Sequence, residues 1–312
     1  MKIVIPGGSG QLGQILRADF ERSKDTVVVL SRNPRAGEVR WDGKTLGPWA
    51  LEVDGADVVI NLAGRTVNCR YTKENVAQMM DSRVDSTRVV GEAIAQSKRP
   101  PALWLQMSTA TIYAHRLDAP NDEATGIIGG SEVGVPTYWA VSVQIARAWE
   151  AALARAETPQ TRKIAMRTAM VMAPGQGGVF QVLYNLTRAG LGGSIGGGRQ
   201  FVSWIHSTDF CRAVRFAIEK TELTGAVNFT APNPLPQREF MRALRTATGM
   251  PIGLPASKWM AEMGAFVMRT DTELLLKSRR VIPGRLTQDG FRFEFPEWPG
   301  AAAHLVDSSR RK

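Results

Sequence analysis

A β-branched apolar run at residues 2–6 meets Gly7, Gly10 and Gly13, spaced G-x-x-G-x-x-G, and a helical pattern starts at once behind them. A strand that turns tightly into a helix around a phosphate group excludes a side chain at each of these positions. The first glycine makes the turn, the second lets the backbone approach the pyrophosphate, and the third lets the helix pack close to the strand. The helix start adds unpaired N–H donors and a partial positive charge. The segment Gly7, Ser9, Gly10, Gln11, Leu12 and Gly13 is therefore read as a dinucleotide cradle.

Short β-branched runs and longer helical patterns then alternate, as a parallel sheet with crossover helices requires. Strands are expected at 2–6, 26–30, 58–62, 103–107 and 164–172, with helices at 13–22, 73–96 and 141–156. The glycine-rich stretch 190–198 interrupts the rhythm, which returns at 210–220 and 226–230. From Pro232 onward, prolines and amphipathic segments at 238–248 and 259–268 mark a smaller lobe. The expected fold class is α/β, a Rossmann doubly wound parallel sheet with a C-terminal substrate lobe. The expected domains are 1–230, with residues 173–204 contributing to the substrate cleft, and 231–312.

The second strand runs into Ser31 and Arg32, where an NAD-binding chain presents an acidic residue to the ribose 2′-hydroxyl. A guanidinium there pairs instead with a 2′-phosphate, so NADP(H) is the expected cofactor. Leu62, Ala63 and Gly64 follow the third strand and let backbone pass beside the cofactor. Arg83, on the long helix behind them, is a further cofactor candidate, its alternative being a solvated surface side chain.

The net charge of +10 raises nucleic acid as a partner, but Lys and Arg are spread along the chain and no nucleic-acid partner is expected. Cys69 and Cys211 are the only cysteines and, with three histidines, form no metal-ligand spacing, so no metal is expected. No apolar stretch is long enough to span a bilayer and the opening apolar run is broken by Pro6 and Gly7, giving the expectation of a cytoplasmic protein without a membrane partner.

Together with the loop, Asn61-Leu62-Ala63-Gly64 and Met107-Ser108-Thr109-Ala110-Thr111-Ile112-Tyr113 make the chain similar to the extended short-chain dehydrogenase/reductases. Arg167-Thr168, the 190–200 glycines, Trp204-Ile205-His206 and the 281–293 segment resemble the nucleoside-diphosphate-sugar epimerase-like branch with its C-terminal domain of unknown function. The resemblance implies a Ser or Thr and a Tyr that hydrogen-bond the substrate oxygen, and a Lys four residues after the Tyr. An unperturbed phenol, with a pKa of about 10, is a poor base without such a cation. Thr109 matches the first role, with Ser108 beside the cofactor, and Tyr138 matches the second. The Lys position holds Ser142. Tyr113 is the second candidate Tyr, and Arg199 a candidate for an anionic substrate group.

These readings lead to an NADP(H)-dependent oxidoreductase acting on a small carbonyl or alcohol through Thr109 and a Tyr. A nucleotide-sugar epimerase and a regulatory NADP(H)-binding protein without turnover are the alternatives. The oligomeric state and the substrate are left open.

Overall fold

The computed structural model describes residues 1–175, 177–257 and 273–311, so the helical pattern expected at 259–268 lies outside the described residues. The first strands are β1 (Lys2–Pro6), β2 (Thr26–Ser31), β3 (Val39–Arg40), β4 (Val58–Asn61), β5 (Leu103–Thr109) and β6 (Arg162–Thr168). They are followed by β7 (Met170–Met172), β8 (Phe201–Val202), β9 (Trp204–His206), β10 (Gly225–Phe229) and β11 (Leu235–Pro236). Seven of them form one parallel sheet in the order β10-β6-β5-β4-β1-β2-β3. The chain runs outward to β3, then returns to the other side of β1 at β4. That reversal places a crevice at the carboxyl ends of β1 and β4, where doubly wound sheets bind ligands.

The helices are α1 (Gln11–Arg22), α2 (Lys73–Gln96), α3 (Ala140–Arg155), α4 (Val179–Arg188), α5 (Ser207–Glu219) and α6 (Gln237–Thr248), and a C-terminal helix spans Trp298–Arg310. Alternation along the central strand explains the two layers that flank the sheet. Ile3 and Ile5 face one way, onto Leu16, Phe20 and Phe210, while Val4 faces the other, onto Val89, Val90 and Trp104. A third core holds Phe180, Trp204, Phe240 and Trp298, with the Phe240 and Trp298 rings stacked 4.0 Å apart. Leu286 and Phe291, beyond the expected boundary at 230, join the first of these cores.

One expected strand divides. Thr168 pairs with Thr109 on one side and Phe229 on the other, and both neighbouring strands end there. With no ladder left beyond Thr168, the chain leaves the sheet and β7 pairs in parallel with β9. Among the described residues, no helix is long and apolar enough to cross a membrane.

Candidate functional site

The cradle is built by four glycines. Gly7 turns the chain with φ at +75°, and a Cβ on it would stand 2.7 Å from the Ala63 backbone, so the loops after β1 and β4 touch. Gly8, which lies outside the triplet spacing, is as restricted, since its Cβ would meet the Ile5 carbonyl at 2.9 Å. Gly13 seats α1 on the loop, because a Cβ there would lie 2.3 Å from Gly8. Gly10 differs: it is exposed, and nothing within the chain comes nearer to its absent Cβ than the Gly7 carbonyl at 3.7 Å. It is also the N-cap of α1, with no side-chain cap and no acidic residue in the first turn. The helix start thus faces open space with donors available, a fit to a diphosphate. Ser9 is half-buried at this edge, and the Gln11 side chain lies against Gly178 at the start of α4. Leu12 packs its side chain onto the first core.

At the end of β2, Arg32 is exposed and lines a cavity of 760 Å³ together with Arg40, Trp41 and Trp49. The two carboxylates on its wall are occupied: Asp42 accepts from Lys44 N, Thr45 N and the Thr45 hydroxyl, and Glu52 pairs with Lys2 at 3.4 Å. Ser31 is buried, with its carbonyl accepting from Trp41 N at 3.1 Å.

Thr109 ends β5 half-buried, and its hydroxyl accepts from Thr111 N at 3.2 Å, capping the short turn that follows. Among the described residues its own proton has no acceptor and is left to be donated. Tyr138 is 45% exposed in the turn leading into α3, edge-on to Trp139. Two other expected residues are held elsewhere. Ser108 is buried and donates to Glu150 at 2.6 Å, while the Arg167 guanidinium grips the same carboxylate through Nε at 2.9 Å and Nη2 at 2.8 Å. Tyr113 is 2% exposed; its hydroxyl donates to Asn228 Oδ1 at 3.0 Å and accepts from Arg167 Nη1 at 2.9 Å. Burial raises the Tyr113 phenol above its ordinary value, against the pull of Arg167. Both hydroxyls belong to this buried network. Burial alone would lower Arg167, but the hydrogen bonds and charge of Glu150 raise it.

Ser142 stands where the resemblance implies a Lys. Its hydroxyl donates to the Glu273 carboxylate, and the Tyr71 hydroxyl lies 3.4 Å from it. Glu273 in turn pairs with Lys277 at 3.3 Å, and Lys277 Nζ donates to the Thr111 carbonyl at 3.0 Å. Burial lowers the Lys277 ammonium, with Glu273 opposing it. The C-terminal segment is thereby fastened both to α3 and to the turn behind Thr109. The sequence reading missed Glu273 and Lys277, although an acid and a base four residues apart around three leucines is a visible pattern.

Arg83 is buried on α2 rather than solvated, and Gly64 covers it: a Cβ on Gly64 would stand 3.2 Å from Arg83 Cζ. Leu62 and Ala63 are half-buried above the sheet edge, held by Leu62 N to Pro6 O at 2.9 Å and Ala63 N to Asn61 Oδ1 at 3.0 Å. His206 has no opening toward this site. Its Nδ1 accepts from Thr208 N at 3.0 Å and caps α5, so its proton sits on Nε2, facing His304 Nδ1 at 3.1 Å. Arg199 is exposed in the glycine-rich stretch, where Gly196, Gly197 and Gly198 all have positive φ.

Residues 3–228 match the model of the NAD dependent epimerase/dehydratase family, and 256–305 match a domain of unknown function, DUF1731. The chain is 30% identical over 312 residues to the epimerase family protein SDR39U1 of Bos taurus, covering 98% of this chain and 100% of that one. It is 29% identical to the epimerase family protein YfhF of Bacillus subtilis, with 98% of each covered. Among solved structures, human SDR39U1 with NADPH superposes at a TM-score of 0.86 and 27% identity, over 98% of this chain and 99% of that chain.

Proposed function

Because the chain belongs to the NAD dependent epimerase/dehydratase family, we propose that it is an NADP(H)-dependent oxidoreductase acting on a small carbonyl or alcohol. The observation that carries this reading is the pairing of an open, uncapped helix start at Gly10 with Arg32 at the edge of the cavity beyond β2. The first suits a diphosphate and the second a 2′-phosphate, and the human relative at 27% identity holds NADPH.

When bound, NADP(H) supplies or accepts the hydride. The chain contributes position: the Thr109 hydroxyl, fixed by its acceptor bond from Thr111 N, donates its proton toward the substrate oxygen, and Tyr138 is the group that exchanges a proton with that oxygen. Gly10 leaves the helix start clear of a side chain. The test is NADPH consumption by the purified chain across aldehydes, ketones and imines. Thr109→Val should retain NADPH affinity and lose turnover; full activity in that variant removes Thr109 from the chemistry.

One observation favours a second reading, a regulatory protein that binds NADP(H) without turnover. Ser142 is bonded to a carboxylate where the resemblance implies a cation, so nothing at that position activates Tyr138. Tight NADPH binding with no consumption over the whole panel supports it. A nucleotide-sugar epimerase, the third possibility, is recognised by isomerised sugar without net change in the cofactor.

A further inference from the structure

Thr111 lies two residues after Thr109, in the turn that ends β5, and each of its three polar atoms has a partner of its own. Its N–H donates to the Thr109 hydroxyl at 3.2 Å. Its carbonyl accepts from Lys277 Nζ at 3.0 Å, and its hydroxyl accepts from Arg279 Nε at 2.9 Å. The residue that orients the Thr109 oxygen is thus itself held by two cations, 166 and 168 residues further along the chain.

The segment that carries those cations grips at several points. Lys277 is buried and pairs with Glu273 at 3.3 Å, and Glu273, fully buried, accepts from Ser142 in the first turn of α3. The Arg279 Nη1 donates to the carbonyls of Glu273 and Lys277, at 3.4 and 3.3 Å, so one side chain closes the segment on itself and reaches Thr111. Ser278 donates its N–H to His115 Nδ1 at 2.8 Å and its hydroxyl to the Arg116 carbonyl at 2.9 Å. The loop after β5 and the start of α3 are therefore joined through residues 273–279, inside the region that matches DUF1731. Burial lowers both Lys277 and Arg279, which is the cost of placing them there. A buried ion pair adds little stability over apolar side chains of equal volume, and its best-attested use is to fix one arrangement among several. What is fixed here is Thr111, by its carbonyl and its hydroxyl.

We propose that Lys277 and Arg279 are positioning residues for Thr109: acting through Thr111, they set the direction in which the Thr109 hydroxyl donates, and this is the part the C-terminal region plays in the reaction. The proposal rests on the role given to Thr109 above. A threonine side chain has three staggered wells, and only a turn held still keeps its oxygen on one N–H donor and its proton aimed one way.

The experiment is solution NMR of the isotope-labelled full chain as wild type, Lys277→Met and Arg279→Met. It reads the three-bond couplings to the Thr109 methyl, which report its χ1 rotamer, and the exchange of the Thr111 amide, with NADPH calorimetry alongside. Wild type should show one Thr109 rotamer. Each Met variant should average the couplings and speed Thr111 amide exchange by about 10-fold, with NADPH affinity unchanged. On a carbonyl that the wild type reduces, kcat should fall about 10- to 100-fold with KM unchanged. A single wild-type rotamer in either Met variant overturns the proposal, as does a loss of NADPH affinity equal to the loss in kcat, the result that a purely structural role gives. If the Met variants do not fold, Thr111→Val, which removes only the hydroxyl that Arg279 binds, is judged by the same criteria. The couplings need no substrate, so a wild-type chain that consumes no NADPH refutes the oxidoreductase reading alone, and the rotamer still decides this proposal.

Discussion

Gly13 and Gly8 are packed so closely that a Cβ on Gly13 would stand 2.3 Å from both the Cα and the carbonyl oxygen of Gly8, whereas Gly10 between them has free space. The two outer glycines of α1's approach are thus restricted by the protein and the middle one, on the proposed reading, by the dinucleotide. Gly13→Ala should destabilise the fold by about 2 kcal/mol, within the range for overpacking, and Gly10→Val should barely move the melting temperature yet abolish binding of NADPH and NADH alike. Thermal melts paired with calorimetry check both halves. A Gly10→Val protein that binds either dinucleotide normally contradicts the cradle.

On the proposed reading, Arg32 sets the choice of cofactor. Arg32→Asp replaces a phosphate partner with a repelling charge at the mouth of the 760 Å³ cavity. NADPH affinity should fall by about 100-fold and NADH affinity by only a few fold, since a charge-assisted bidentate contact is lost and a like charge gained. Equal losses for the two dinucleotides refute the assignment.

The Ser108–Glu150–Arg167–Tyr113 network is held together by one ion pair, so its expected effect is on stability. Glu150→Leu should cost about 3 kcal/mol by leaving Arg167 buried without its carboxylate, and adding Arg167→Met should restore part of that loss. Tyr113→Phe should cost about 1 kcal/mol and leave NADPH affinity untouched. Urea midpoints of the single and double variants measure this, and a double variant no more stable than Glu150→Leu speaks against the pairing.

His206 should make stability depend on pH. Burial, and secondarily His304, depresses its imidazole to about 3, and a proton on Nδ1 would also displace the cap from Thr208 N. The folded state therefore binds fewer protons than the unfolded one between an unfolded pKa of about 6.5 and the folded value, so stability falls as pH drops through that window, by at most about 1.4 kcal/mol per pH unit. His206→Asn keeps a capping side chain and should flatten the dependence. Urea midpoints at pH 7 and pH 5 that shift as much in the variant as in the wild type rule His206 out as the cause.

Much of the fold was legible because its physics is local. The β-branched run, the glycine spacing and helical periodicity specify β1, α1 and α2 almost to the residue, with α2 observed at Lys73–Gln96. The split of β6 from β7 was not, since it depends on where β5 and β10 end. The site divides the same way. The roles proposed for Gly10 and Arg32 rest on adjacent residues, whereas the bonds of Tyr113 and Ser108 to Arg167 and Glu150, distant in sequence, are visible only in the fold. Glu273 stands 131 residues from Ser142, and no local pattern joins the two.

Leu286 and Phe291 have a bearing on how the chain is made. They share a core with Ile3 and Ile5, on a strand synthesised about 280 residues ahead of Leu286. During synthesis that face of the sheet stays partly uncovered until residues far along the chain have emerged. Nascent chains stopped near residue 230 should therefore depend on chaperones and be cut readily by proteases, and gene fusions or splits at that point should yield aggregating fragments rather than a working nucleotide-binding half.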